Sequence, residues 1–283
     1  MDANFRHCAA LVHDADHDAY LAALFAPERK RAALFALYAF NIEVSRVRDL
    51  AREPMPGEIR LQWWRETILG VRGDQAPANP VAAAFGETMA QYDLRSEIAA
   101  ALIEAHRFDI YDEPMPTLNE LQRYAAETAG AVITFAAQIL TGQARPIAAD
   151  LYDEAGWAVV IADILGKLPH HAARRQLYLP IETVGRHGAD PEDIFAMRAT
   201  SELRAVLAEL RLGARRSLAR IADMSGGISE DAWPAFLPLA PLRLWLSVME
   251  RADYDPFHPP EMARWRRQWH IWRAAKSLRR IGG

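Results

Sequence analysis

Cysteine is nearly absent from this sequence, and its scarcity excludes two kinds of structure. Cys8 is the single cysteine in 283 residues, so the chain can form neither an intramolecular disulfide nor a cysteine-based zinc cluster. This usage is typical of a protein that folds in a reducing compartment. Residues 1–8 also lack the apolar core of a signal peptide, which favours the cytoplasm.

Long apolar runs are missing as well. The longest uninterrupted one covers 32–40, which is far shorter than the roughly 20 residues that a membrane span needs. The sequence therefore predicts no transmembrane helix. We expect a cytoplasmic protein and leave open a peripheral contact with the inner face of the membrane.

A basic surplus is also absent. The net charge of −4 argues against a general nucleic-acid-binding protein, which usually carries an excess of Lys and Arg. No P-loop, dinucleotide fingerprint, or serine or cysteine nucleophile motif occurs. We therefore expect no nucleic-acid partner and no nucleotide-dependent chemistry of these kinds.

Strand-like alternation is almost absent, whereas helical periodicity runs through most of the chain. Apolar residues recur about every 3.6 residues between Glu28 and Leu50, and Thr117 with Glu120 forms a capping-box pattern. The predicted helices cover 28–50, a segment after Gly57, a segment from Pro80, 93–109, 117–140, 149–168, 201–224, 231–252 and a last segment after Pro260. No linker rich in glycine and serine divides them, so we expect one all-α domain over 1–283.

Four short strings occur in an order typical of a known family. They are 31–40 (RAALFALYAF), 61–65 (LQWWR), Tyr124 with 129–130, and 178–180 (YLP). In order and spacing they resemble the squalene and phytoene synthases over residues 21–188. The resemblance implies the all-α isoprenoid synthase fold, with Tyr38 and Tyr124 in the substrate cleft.

Members of that family join two prenyl diphosphates head to head. Aspartates at i and i+4 lie on one face of a helix. Two such helices can clamp a Mg²⁺–diphosphate cluster, because Mg²⁺ prefers oxygen ligands shared between carboxylates and phosphates. The metal neutralises the charge that develops on the leaving group. The resemblance thus implies two acidic motifs, one after the Tyr-Ala-Phe string and one before Tyr-Leu-Pro.

Most of those acidic residues are missing here. The first motif, Asp-Asp-x-x-Asp in the family, is occupied by Ser45, Arg46, Val47, Arg48 and Asp49. The second motif holds Lys167, His170 and His171, and Asp163 stands where asparagine is usual. Of about six carboxylates that the resemblance implies, Asp49 alone is in register. Because lysine and arginine repel Mg²⁺, we expect the metal site to be lost and no cofactor to be bound.

The pattern of loss resembles one subgroup of the family. Segments 55–65 and 168–173 are similar to members that act in the assembly of respiratory complex I. The resemblance implies a catalytically degenerate assembly factor or prenyl- or lipid-binding factor, with respiratory-complex subunits or prenyl lipid as partners. The alternative is an active head-to-head prenyltransferase with an altered site. A third hypothesis is a helical interaction protein unrelated to respiration.

The cations near the lost motifs have two interpretations. These cations are Arg46, Arg48, Lys167 and Arg174. They could bind a diphosphate directly, without metal. Alternatively, arginines pair with acids such as Glu43 and Asp49 inside a filled former cleft, because buried charges need partners.

Two other polar clusters have simpler interpretations. His13 and His17 would share a helix face and could bind a metal. However, a short polar segment of this kind near the N-terminus is usually a solvated turn. A second cluster comprises Glu104, Asp109, Asp112 and Glu113. The favoured interpretation is that these residues form a polar turn where a helix ends.

The C-terminal segment 259–283 combines basic and aromatic residues. Seven Lys or Arg residues against one acid give 261–283 a charge of +6, which leaves −10 for the rest of the chain. An aromatic stripe is formed by Met262, Trp265, Trp269 and Trp272. Such a helix suits an anionic membrane surface or an acidic partner. The favoured interpretation is a helix docked on the core with a solvated basic back.

Overall fold

The fold of the described residues consists of helices joined by turns. A computed structural model describes residues 2–51, 53–71, 78–111, 113–144 and 148–281, apart from the side chains of 278 and 279, and these ranges contain no strand. The α-helices are, in chain order, α1 Ala3–Ala15, α2 His17–Leu24, α3 Glu28–Ser45, α4 Val47–Leu50, α5 Pro54–Ile68, α6 Pro80–Tyr92, α7 Ser96–Ala105 and α8 Leu118–Ala125. They continue with α9 Ala131–Thr141, α10 Ala149–Gly166, α11 Leu168–Ala173, α12 Ile181–Arg186, α13 Pro191–Phe195, α14 Ser201–Met224, α15 Leu242–Val248 and α16 Arg264–Ala274.

Backbone contacts divide the chain into two compact units. The first unit comprises Met1–Tyr111, Ala131–Ala149 and Gly227–Pro238. The second unit comprises Asp112–Gly130, Asp150–Gly226 and Leu239–Gly283. The expected organisation of 1–283 as one domain stays a prediction.

The first unit is built around an aromatic cluster on α3, α5 and α6. Phe40 stacks on Phe85 with ring centroids 4.2 Å apart, and Trp64 meets Phe40 edge-on at 5.4 Å. All three side chains are buried. Every residue of 33–40 on α3 is buried, as expected for a helix that is apolar on all sides. This packing fixes the C-terminal end of α3.

The single cysteine is also part of the first unit. Cys8 lies on α1 and is fully buried. Burial raises the pKa of its thiol from 9.0 to about 12, because a thiolate would lose its hydration there. The thiol is therefore protonated and unreactive while α1 stays packed.

The second unit is organised by the pair α10 and α14. A Cβ atom at Gly213 of α14 would lie 3.0 Å from the indole Nε1 of Trp157, so glycine leaves the room that this ring needs. Arg220 pairs with Glu154 at 2.8 Å, and the hydroxyl of Ser217 donates to the same carboxylate. The two helices are thus joined along one face of each, by packing at Trp157 and by polar contacts one turn away at Glu154.

Several predicted boundaries are confirmed. α14 covers the predicted span 201–224. The side chain of Asn79 accepts hydrogen bonds from the N–H groups of Val81 and Ala82 at the start of α6. Gly142, with φ of +71°, follows the last residue of α9 and ends that helix within one residue of the predicted boundary at 140.

The prediction of one long helix over 231–252 is wrong. The chain forms 3₁₀-helices at Glu230–Ala235 and Leu237–Leu239, and then the short helix α15. Prolines at 234, 238 and 241 interrupt the segment. Because proline lacks an amide hydrogen and clashes with the preceding turn, it breaks an α-helix at each of these points.

Proline placement also corrects other boundaries. The helix predicted over 149–168 ends earlier, because α10 stops at Gly166, and Pro169 lies in the first turn of α11. Pro54 likewise lies in the first turn of α5, where the missing N–H would have no helical partner. The helix predicted over 93–109 is shorter, because α7 covers Ser96–Ala105 and a 3₁₀-helix follows at Phe108–Ile110.

The C-terminal helix α16 is anchored by a different face from its aromatic one. Ile271 and Ala274 are buried, whereas Trp265, Trp269 and Trp272 are exposed. The predicted docking of this helix therefore holds, but the tryptophans point to solvent. Met262 lies before the first turn of α16 and does not belong to the helical stripe.

No helix in the described ranges is both long enough and apolar enough to cross a lipid bilayer.

Candidate functional site

The first cluster, which we define as Ser45, Arg46, Arg48 and Asp49, lies where α3 ends and α4 begins. The helix predicted over 28–50 is interrupted at Arg46, which has φ of −87° and ψ of 0°. Ser45, Arg46 and Asp49 are exposed. The guanidinium of Arg48 is partly buried and donates to the carbonyl of Ala51 at 3.3 Å. This cluster is a polar, cation-rich corner of the first unit.

Tyr38, the other candidate residue on α3, lies inside the helix packing. Its side chain is 6% exposed. Burial raises the pKa of the Tyr38 hydroxyl above its usual range, and the carboxylate of Asp16 adds to this effect. The phenol therefore stays protonated at neutral pH.

The second cluster, which we define as Asp163, Lys167, His170 and His171, spans the junction of α10 and α11. Lys167 Nζ lies 2.8 Å from Asp163 Oδ1, and both side chains are about half exposed. The pair is one turn apart on a helix, a spacing that brings opposite charges together. An ammonium group thus binds the one carboxylate of this cluster.

His171 belongs to a buried aromatic group instead of the surface. Its ring centroid lies 4.6 Å from that of Tyr178, and the ring centroid of Tyr124 lies 6.3 Å from that of Tyr178. Gln176 donates from Nε2 to the Tyr178 hydroxyl at 3.0 Å. His170 is exposed, with its ring 6.1 Å from that of His171. The structure thus brings Tyr124 together with the second cluster through Tyr178.

A π-helical turn positions α10 beside α8. The helix predicted over 117–140 contains a π-helix at Ala126–Gly130, and such turns often occur at functional sites. A Cβ atom at Gly156 of α10 would lie 2.6 Å from the carbonyl oxygen of Ala125 and 2.7 Å from the amide nitrogen of Gly130. Only glycine permits this approach of two backbones. The contact fixes α10, and with it the second cluster, against the helix that carries Tyr124.

Sequence reasoning missed Gln176 and Gly156 as supporting residues. A glycine inside an apolar helical segment is a usable signal, because it costs helix stability unless close packing requires it. Gln176 carries no comparable sequence signal, because only the folded geometry shows that its side chain reaches the Tyr178 hydroxyl.

The residues of both clusters do not fit a Mg²⁺–diphosphate complex. Mg²⁺ needs several oxygen ligands in near-octahedral geometry. Each cluster contains one carboxylate, and that of Asp163 is bound by Lys167. Across the part of the chain that is described, no three His, Cys, Asp or Glu side chains gather in a way that could hold a metal ion.

The remaining polar clusters from the sequence are ordinary side-chain pairs. His13 Nδ1 lies 2.9 Å from Asp14 Oδ1, and its ring meets His17 edge-on at 5.5 Å. In the acidic group, Glu104 pairs with Arg107 and Asp109 lies beside His106. Glu113 is exposed. Asp112 lies outside the described residues.

This helical architecture with altered acidic positions has clear relatives. The family model of squalene/phytoene synthase matches residues 12–273. The chain therefore belongs to the squalene/phytoene synthase family, and the resemblance predicted from its motifs is confirmed.

Two kinds of curated relative match over most of the chain. NADH dehydrogenase (ubiquinone) complex I, assembly factor 6 from Bos taurus is 28% identical over 255 residues, which are 90% of this chain and 76% of the relative. The Homo sapiens protein of the same name is 28% identical over 254 residues, with 89% and 76% coverage. The 15-cis-phytoene synthase of Synechococcus elongatus is 26% identical over 251 residues, with 84% and 81% coverage. The chain is thus a homologue of a complex I assembly factor, in agreement with the predicted subgroup.

Solved structures show the same fold. A dehydrosqualene synthase in complex with ligand superposes with a TM-score of 0.83 at 20% identity, covering 97% of this chain and 95% of that one. The squalene synthase HpnC from Alicyclobacillus acidocaldarius gives a TM-score of 0.77 at 23% identity, with 90% and 95% coverage. The predicted isoprenoid synthase-like all-α fold is confirmed.

Proposed function

We propose that this chain is a catalytically degenerate member of the family that acts as an assembly factor for respiratory complex I, at the inner face of the membrane. One observation carries the loss of catalysis. At the second cluster, Lys167 holds Asp163 in an ion pair and His171 is part of the aromatic packing. A metal bound there would have to displace an ammonium group and find further oxygen ligands, which the neighbouring side chains do not offer. Similarity to assembly factor 6 supports the choice of partner.

The proposal includes an anionic ligand, a prenyl diphosphate or a lipid phosphate, held without metal by the first cluster. Arg46 is exposed and Arg48 is partly buried close to it in the chain. Arginine binds phosphate oxygens through paired N–H groups. The charge of Lys167 is offset by Asp163, so the second cluster contributes less to such binding.

Complementation tests the assembly role. Deletion of the gene in its own host should lower the amount of assembled complex I on native gels together with NADH:ubiquinone oxidoreductase activity. A plasmid carrying Asp49→Ala should restore both, because the proposed role does not use this carboxylate for catalysis. Unaffected complex I in the deletion strain would contradict the proposal.

The alternative function is an active head-to-head prenyltransferase with an altered site. The phytoene synthase relatives and the exposed Asp49 in register favour it. Purified protein with farnesyl or geranylgeranyl diphosphate and Mg²⁺ should give no condensed product under the leading proposal. Turnover that disappears in Asp49→Ala would establish the alternative instead.

Calorimetry tests the anionic ligand separately. Titration with pyrophosphate and with farnesyl diphosphate should give heat that Arg46→Gln reduces. Arg60→Gln, which removes an exposed arginine from α5, is the matched control and should bind like the wild type. Absence of heat at millimolar ligand would remove this part of the proposal and leave the assembly role intact.

A further inference from the structure

The exposed face of α16 is unusually rich in tryptophan. Trp265, Trp269 and Trp272 are 64%, 51% and 42% exposed. The rings of Trp269 and Trp272 stack with centroids 5.1 Å apart. Together with Gln268, the three indoles line one shallow, open depression. Large aromatic side chains are normally buried, so three in one exposed patch indicate an interaction surface.

The opposite face holds α16 in this orientation. Ile271 and Ala274 of this helix are buried. His270, beside them, is partly buried, and its pKa is lowered by burial and by the charges of Arg273 and Arg243. Since 271 and 274 are one helical turn apart, they define a docked stripe. The tryptophans are therefore kept outward by the packing of the helix itself.

Cations lie directly over the tryptophan face. The ammonium of Lys276 is 3.7 Å from the centroid of Trp272, and the guanidinium of Arg266 is 5.4 Å from that of Trp265. Residues 261–283 carry seven basic residues against one acid. The rest of the chain is acidic, so this positive charge is local and selects an anionic partner surface.

We propose that α16 docks the protein on an anionic phospholipid bilayer, with the three indoles in the interfacial layer and the cations beside the lipid phosphates. Tryptophan favours the membrane interface because its ring is apolar and its N–H remains hydrated. Arginine and lysine reach headgroups while their stems cover apolar surface, and anionic leaflets attract them. A wide, shallow patch fits a lipid surface better than a protein anchor, which usually needs a deep pocket. The inference deepens the proposed function, because it rests on the location at the inner face of the membrane proposed there, and it uses neither cluster.

Vesicle flotation tests this docking with the full-length protein. Vesicles of phosphatidylcholine with about one third phosphatidylglycerol should carry the wild type, whereas phosphatidylcholine alone should not. Replacement of the three tryptophans by alanine should weaken partitioning about tenfold or more. The double variant Arg266→Gln and Lys276→Gln should weaken it as well, and added salt should do the same because the charges are exposed.

Matched controls separate docking from general stickiness. The first control, Met55→Ala with Ile59→Ala, removes two apolar side chains outside α16 that are 73% and 64% exposed. The second control, Arg60→Gln with Arg216→Gln, removes two exposed charges outside α16. Both controls should float like the wild type, and all variants should keep the wild-type circular dichroism spectrum. Equal flotation of the tryptophan variant and the wild type would overturn the proposal. So would equal binding to neutral vesicles, or no binding to anionic ones, which would favour an acidic protein as the partner.

Discussion

The two clusters that occupy the acidic-motif positions are built differently. In both clusters three of the four side chains are exposed, but the fourth one differs. In the first cluster it is Arg48, which is partly buried and donates to the carbonyl of Ala51. In the second, His171 is buried against Tyr178, and Lys167 is paired with Asp163. The second cluster therefore has a structural role that the first does not have. The proposed anionic ligand would therefore contact the first cluster, while the second maintains the local packing of α10 and α11.

The largest effect is expected from the backbone contact that supports the second cluster. Gly156→Ala would place a Cβ atom 2.6 Å from the carbonyl oxygen of Ala125. Because this oxygen belongs to the backbone, it cannot move away without a large cost in free energy. We expect the free energy of unfolding to fall by about 3 kcal/mol, measured by urea denaturation. Gly86→Ala is the matched control, because its Cβ meets open space; it should be neutral or stabilise by up to about 1 kcal/mol. Equal stability of the two variants would show that this contact does not fix α10.

An intermediate effect should separate the clusters directly. His171→Ala removes a buried ring beside Tyr178 and should lower the free energy of unfolding by about 2 kcal/mol. Arg46→Ala, in the exposed first cluster, should change it by no more than about 0.5 kcal/mol. Urea denaturation of both variants checks the contrast. It would be refuted if Arg46→Ala were the more destabilising change.

The smallest effect concerns the ion pair of the second cluster. Lys167 and Asp163 are about half exposed, so their coupling should be about 0.5 kcal/mol or less. A double-mutant cycle with Lys167→Met and Asp163→Ala measures it. A coupling well above about 1 kcal/mol would mean that the ion pair, and not His171 alone, holds the α10–α11 junction together.

The fold was largely predictable because helical periodicity is a local property. The span of α14 and the cap at Asn79 follow from spacing and residue type. The failure over 231–252 has a local cause too, since three prolines there outweigh an apolar pattern. The π-helical turn at Ala126–Gly130 could not be predicted from the sequence, because one extra residue in a turn leaves the apolar periodicity nearly unchanged.

The choice of candidate site residues stays a prediction, and the contacts of those residues could not be predicted from the sequence. Motif spacing located Lys167 and His171, and their identities indicated that the metal ligands were missing. It could not indicate that Lys167 pairs with Asp163 or that His171 packs on Tyr178. Both contacts depend on tertiary geometry, including the close approach at Gly156. The exposure of the α16 tryptophans likewise depends on which helix face packs, a choice that the amphipathic pattern alone does not make.

The buried thiol of Cys8 makes the protein suited to measurements of local opening. A thiol reagent at about pH 8 attacks the thiolate, and the raised pKa of Cys8 suppresses that form while α1 is packed. Modification therefore requires a fluctuation that exposes this helix. Because the chain has a single cysteine, the labelling rate, followed by intact mass, reports such fluctuations at one known position without any introduced probe.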